Sequence, residues 1–284
     1  MQPSAKFGRT LQFLACLACS RIAAFSLHPT AAAQLLRFTT AVSLAADPNE
    51  QMPASNDSSS IRSSPVTNTT IIRVLALHGS EGNGASFAQT LKVWRESLLQ
   101  EVAIDFQVSS FDAPVPKGHG YAWWAMPPHV RSFNATSYEH FDTSCAAVLQ
   151  HINNIRPHVI LGHSQGAILI TALLALNQIR PHPPLGYILN GVAWPNPYTD
   201  EMEALRVDRG SSATTIPKVL LIVGERDKMN APDQTARVGN TLQQAGMNIT
   251  IISHPAGHAV PVQDSTVNKA LAEWLTSSVD RLIN

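Results

Sequence analysis

From residue 71 onward, short apolar runs alternate with longer stretches whose apolar residues recur at helical spacing, and no other feature constrains the fold as tightly. IIRVLALHG, AIDFQVSSF, VILGHS, PLGYILNGV, PKVLLIVG and MNITIISH read as strands. Between and after them, ASFAQTLKVWRESLLQ, SYEHFDTSCAAVLQHIN, SQGAILITALLALNQ, DQTARVGNTLQQAG and DSTVNKALAEWLTSSVDRL read as helices. Strands that are apolar at nearly every position must be buried on both faces. Strands separated by helices pair in parallel through crossovers, so the pattern predicts the α/β class with a doubly wound, mainly parallel sheet.

One segment breaks the alternation. FDAPVPKGHGYAWWAMPPHVRSFNATS, residues 111 to 137, is long, proline-rich and without period. Such a segment in a compact domain is expected to be functional, and it is read here as a short lid insert. Phe111, Trp123 and Trp124 are its candidates for an apolar substrate pocket, with Trp194 of NGVAWPNP as the opposite wall. The competing expectation is that the tryptophans anchor the insert to the domain, since large aromatics gain most from burial.

The N-terminal part differs in composition. Residues 1–46 carry Lys6, Arg9, Arg21 and Arg37 and no acidic residue, as a cleaved targeting presequence would. Its apolar stretch LQFLACLAC is too short to span a bilayer stably. A plastid reached through a signal peptide, or a mitochondrion, is the expected destination, with secretion or a cytoplasmic location as alternatives. Residues 47–69 are Ser-rich and aperiodic and read as a linker, which leaves 70–284 as the folded domain. That domain holds Cys145 alone, so it has no intrachain disulfide framework.

Lys plus Arg number 20 and Asp plus Glu number 20, so no basic field exists to recruit nucleic acid. Neither a phosphate-binding glycine loop nor a zinc-binding H-E-x-x-H occurs. The chemistry must come from side chains.

ILGHSQGAILI, residues 160–170, sets Ser164 at a strand-to-helix turn between Gly162 and Gly166. This is the G-x-S-x-G pattern of a nucleophile elbow. A serine hydroxyl needs an imidazole to take its proton and a carboxylate to fix that imidazole's tautomer. Asp227 follows the strand KVLLIVG and His258 follows MNITIISH, so Ser, Asp and His occur in the chain order of α/β-hydrolases. Glu225 and Asp233 compete for the acid, His254 for the base, and His163 is read as packing that points away from the site. The backbone N–H groups of Gln165 and Ser80 are the candidate oxyanion donors, with Glu81 or its neighbours as alternatives.

LALHGSEGNGASF, SSFDAPVPKG, the YAWW segment, YEHFDTS, GHSQGA, GERDKM and HPAGHAVP, in this order, resemble the FSH family of serine hydrolases from residue 71 to about 280. His163 stands where many relatives carry Phe. The resemblance implies an α/β-hydrolase fold with a small lid, a catalytic triad at Ser164, Asp227 and His258, and hydrolysis of carboxylic esters. The expected partner is a small-molecule ester with a neutral, apolar acyl or alkyl group, and no cofactor or metal is needed. An acyl thioesterase or lysophospholipase would use the same triad. A non-catalytic binding protein on this scaffold is the alternative from another class.

Overall fold

A computed structural model describes residues 69–179, 186–207 and 216–283. The chain divides into Met1–Arg62 and Ser63–Asn284, and every described residue belongs to the second unit. The presequence, and the linker up to residue 68, lie outside the described residues.

Six strands form one sheet: β1 (Thr70–Leu77), β2 (Ile104–Ser110), β5 (Val159–His163), β6 (Gly186–Asn190), β7 (Lys218–Gly224) and β8 (Asn248–His254). All neighbours are parallel, in the order β2-β1-β5-β6-β7-β8. The order turns back between β1 and β5. In open α/β sheets that reversal opens a crevice at the carboxyl ends of the strands, where ligands bind.

Alternate side chains of each strand enter two separate cores. Leu75, Leu77, Ile160, Leu189 and Leu221 face one core. Val74, Ala76, Val159, Leu161, Ile188 and Ile222 face the other. Helix α1 (Gly84–Val102) and helix α6 (Ser265–Ile283) cover the second core with Phe87, Leu91, Trp94, Val267 and Trp274. Helices α2 (Phe141–Ile155), α3 (Gln165–Ala175) and α5 (Pro232–Gln244) cover the first; a short α4 spans Thr199–Ala204. Each fully buried leucine here contributes about 1.5–3 kcal/mol. α3 is buried on all sides, which is why its sequence has almost no polar face.

The insert is more ordered than its sequence suggests. Val115–Lys117 (β3) and Gly120–Ala122 (β4) form a small antiparallel hairpin, with a 3-10 turn at Ser132–Asn134. Strands of three residues are too short to show a period.

Candidate active site

Ser164 occupies the single residue between β5 and α3, at φ 52° and ψ −116°. A non-glycine residue is rarely found there, and the strain is held by burial around it. The Ser164 N–H donates to the Asn190 carbonyl at 2.9 Å. Strand and helix approach so closely that a Cβ on Gly162 would sit 2.5 Å from the Ala167 nitrogen, and one on Gly166 would meet the Leu77 carbonyl. Both elbow glycines are thus steric necessities.

Asp227 and His258 lie in the loops after β7 and β8. His258 Nδ1 lies 2.6 Å from Asp227 Oδ2. Asp227 Oδ1 accepts the N–H groups of Met229 at 2.8 Å and Asn230 at 2.9 Å. Both oxygens of this buried carboxylate are therefore committed, which fixes its plane. Asn230 Nδ2 also donates to the Gly191 carbonyl at 2.6 Å, tying the acid loop to the end of β6. Of the competing groups, Glu225 and Asp233 are exposed. His254 is buried with no hydrogen-bond partner at Nδ1, and burial lowers its pKa.

His163 is not turned away from the site. Its ring lies 4.9 Å from that of His258, between centroids, and Asn190 Nδ2 is 2.8 Å from its Nδ1. Residues 159, 161 and 163 point to the same face of β5, and that face carries His163 past α1 to the mouth of the elbow. Burial, reinforced by the nearby His258, pushes the His163 pKa down to about 3. The ring is neutral under working conditions.

The loop after β1 closes on the elbow: a Cβ on Gly79 would lie 3.2 Å from Ser164 Cβ. The Gly79 carbonyl accepts the Gly82 N–H at 3.1 Å and lies 2.7 Å from His78 Nδ1. His78 Nε2 accepts the Ala113 N–H at 3.0 Å, so Nδ1 carries the proton and donates to Gly79. Burial lowers the His78 pKa and keeps this neutral form. With the Gly79 carbonyl held from two sides, the trans peptide directs the Ser80 N–H the opposite way. His78 went unnoticed in the sequence, where its only signal is its place beside Gly79.

The tryptophans require a correction. Trp123, Trp124 and Trp194 are exposed by 0%, 1% and 1%, so they are interior anchors and not an open pocket wall. Trp123 Nε1 donates to the His78 carbonyl at 2.7 Å, Trp124 stacks on Tyr138 at 4.2 Å, and Trp194 Nε1 donates to Thr199 Oγ1 at 2.8 Å. Phe111 stacks on His151 at 3.6 Å and meets Trp123 edge-on at 5.4 Å. An indole gains its full transfer energy only when enclosed, and its N–H, cut off from water, then needs a partner within the protein. Trp124 is enclosed without that partner, its Nε1 making no hydrogen bond.

The insert also reaches the loops after β1, β6 and β7. The Tyr121 N–H donates to the Gly82 carbonyl, and the Glu81 N–H to the Tyr121 carbonyl, both at 2.8 Å. Lys117 Nζ donates to Ser80 Oγ at 2.9 Å and pairs with Glu81 at 3.5 Å. Asn196 Nδ2 donates to the Ala135 carbonyl at 3.0 Å, and an Arg131 nitrogen lies 3.3 Å from the Met229 sulfur.

A serine in a strained strand-to-helix turn at the switch point of a parallel sheet, with an Asp–His pair on later strand ends, defines an α/β-hydrolase. Within that class the chain belongs to the family described as Serine hydrolase (FSH1), which it matches over residues 68–270. Esterase OVCA2 of Danio rerio is 26% identical over 216 residues, covering 68% of this chain and 92% of that protein. An esterase of Anopheles gambiae is 26% identical over 208 residues, covering 68% of this chain and 73% of its own length. Among solved structures, esterase PE8 superposes with a TM-score of 0.55 at 18% identity, covering 75% of this chain and 94% of that one. Arabidopsis thaliana SOBER1 superposes with a TM-score of 0.54 at 16% identity, covering 74% and 100%. These two likenesses bear on the fold alone. Among the described residues, no helix is long and apolar enough to cross a membrane.

Proposed function

We propose that this serine hydrolase cleaves carboxylic esters of neutral, apolar acyl or alkyl groups through an acyl-enzyme on Ser164. The observation that carries the reading is the 2.6 Å contact between His258 Nδ1 and Asp227 Oδ2. With its Nδ1–H donating to Asp227 Oδ2, the imidazole keeps a free lone pair on Nε2 to act as base. Ser164 Oγ attacks the ester carbonyl as His258 takes its proton, and the N–H groups of Gln165 and Ser80 receive the charge that develops on oxygen. The same proton passes to the departing alcohol as the C–O bond breaks. Water then attacks the acyl carbonyl, gives a proton to His258, and Ser164 recovers it as the acid leaves.

The preference for apolar groups is supported by the rim. Met229, 47% exposed, stands on the Asp227 loop, while Lys117 already pairs with Glu81. The test is steady-state hydrolysis by the full chain of nitrophenyl esters and acyl thioesters graded by chain length, with Ser164→Ala beside it. Ester turnover lost in that variant is the expected result. Equal turnover by Ser164→Ala overturns the reading, and faster cleavage of thioesters than of esters moves it to a thioesterase.

A further inference from the structure

Gln165 is only 3% exposed, yet none of its side-chain polar atoms is spent on its own helix. Oε1 accepts the Trp123 N–H at 2.8 Å, and Nε2 donates to the Trp124 carbonyl at 3.1 Å. One carboxamide thus grips two successive residues more than forty positions away, using its acceptor and its donor in the only assignment that satisfies both. Ser144 Oγ donates to the carbonyl between them, that of Trp123. The Trp123 indole continues the chain of contacts to the His78 carbonyl, one residue before Gly79. His78 in turn holds Ala113 at the start of the insert. Both proposed oxyanion donors, the N–H groups of Ser80 and Gln165, therefore belong to segments fastened to the same short piece of the insert.

We propose that Gln165 is a positioning residue whose side chain locks the insert at Trp123 and Trp124, making the insert a fixed brace that sets the spacing of the two oxyanion donors. A cover that opened with each turnover would have to break both carboxamide bonds and unseat two buried indoles. The brace serves the oxyanion hole of the reading above and rests on it. Its consequence is specific. Loss of the clamp shifts the donors relative to each other, which weakens stabilisation of the tetrahedral intermediate and leaves ground-state binding of the ester largely intact.

A carboxyl group in place of the carboxamide separates this role from simple packing. In Gln165→Glu, the protonated acid has the same shape as the amide: its carbonyl accepts from Trp123 and its O–H donates to Trp124. Once ionised it has no donor, and one oxygen faces the Trp124 carbonyl. Burial raises the pKa of the introduced group towards neutrality, so both forms are reached where the enzyme is folded. The experiment measures kcat and KM for a nitrophenyl ester at each pH from about 5 to 9, for the wild type, Gln165→Glu and Gln165→Ala, with far-UV circular dichroism at every point. The kcat ratio of Gln165→Glu to wild type is expected to fall by about tenfold or more between the acid and the alkaline end, with KM changed by less than about threefold. Gln165→Ala shows a lowered kcat ratio that does not vary with pH. A pH-independent ratio in Gln165→Glu, or a loss confined to KM, overturns the brace. If Gln165→Glu unfolds on ionising, the alanine variant decides: lowered kcat at preserved KM supports the brace, and unchanged kcat overturns it. Failure of the wild type to show Ser164-dependent turnover would instead refute the underlying hydrolytic reading.

Discussion

The rings of His163 and His258 lie 4.9 Å apart between centroids and are inclined at 44°. An imidazole that acts as base becomes charged in each half-reaction, so a second charged ring at this distance would oppose it. His163 avoids this by remaining neutral, its pKa pushed down to about 3 by burial first and then by His258. Asp227 works in the other direction and His78 in the same one.

Because the folded value of His163 lies below its ordinary 6.5, the unfolded chain binds more protons between pH 6.5 and about 3. The stability associated with this residue is complete above that window and falls as pH drops through it. His163→Phe removes the titration and keeps an aromatic ring against His258. Urea midpoints for the variant should therefore decline less steeply on acidification than those of the wild type, the remaining slope including His78, whose pKa is lowered in the same direction. Parallel midpoint curves would contradict this.

Replacing Asp227 by Asn should leave the Met229 and Asn230 N–H groups bonded to an oxygen and turn an amide donor towards His258 Nδ1. The imidazole would then carry its proton on Nε2, facing the nucleophile, and kcat should fall by about four decades. Phosphonylation of Ser164 by a fluorophosphonate, with fluoride as the leaving group and rates compared at one pH, reads the loss of nucleophilicity directly.

Gly191, at φ 57°, lies against His258: an added Cβ would sit 3.1 Å from both Cε1 and Nδ1 of His258 and 3.4 Å from Asp227 Oδ2. Gly191→Ala should lower kcat by tenfold or more by pushing the imidazole off line, where a misplacement of about 1 Å can cost a hundredfold. The backbone strain adds about 1–2 kcal/mol of destabilisation. Activity and urea midpoint measured on one preparation distinguish the two losses, and unaltered kcat would show that His258 adapts.

Trp124 tests whether the insert's aromatics are structure or specificity. With 1% exposure and a stacked Tyr138, Trp124→Ala should destabilise the domain by about 3–5 kcal/mol. Trp124→Phe, which keeps a ring on Tyr138, should hydrolyse esters of every acyl length in the wild-type proportions. A changed length profile in the folded Phe variant would return Trp124 to the pocket.

Much of this architecture was legible because its physical causes leave traces in sequence. Strands buried on both faces must read as continuous apolar runs, and the close approach of β5 and α3 demands Gly162 and Gly166. Asp227 and His258 follow strand ends by a few residues, and the structure hydrogen-bonds them to each other. The β3–β4 hairpin left no trace, since three-residue strands carry no period. Nor could composition tell whether Trp123 and Trp124 form a wall or a root, because either use places the same indoles in the same loop. The Gln165 clamp depends on contacts across some forty residues, and nothing local announces it.

Once the tryptophans are assigned to the interior, the side chains that meet the substrate must come from what remains exposed, and Met229 is expected among them. It is 47% exposed, two residues beyond Asp227, with its own N–H fixed to that carboxylate and its sulfur 3.3 Å from an Arg131 nitrogen of the insert. A flexible thioether at the junction of acid loop and insert can lie along an alkyl chain without a fixed shape requirement. Each methylene it shelters from water should add about 0.8 kcal/mol to transition-state binding. Met229→Lys keeps the length of the side chain and places a charge at its end, beside Arg131. The expected outcome is kcat/KM unchanged within about threefold for acetyl esters and falling progressively further behind the wild type as the acyl chain lengthens, since only longer chains reach the substituted rim. Parallel profiles for the two proteins would remove Met229 from the binding surface and place the apolar contact elsewhere on the insert.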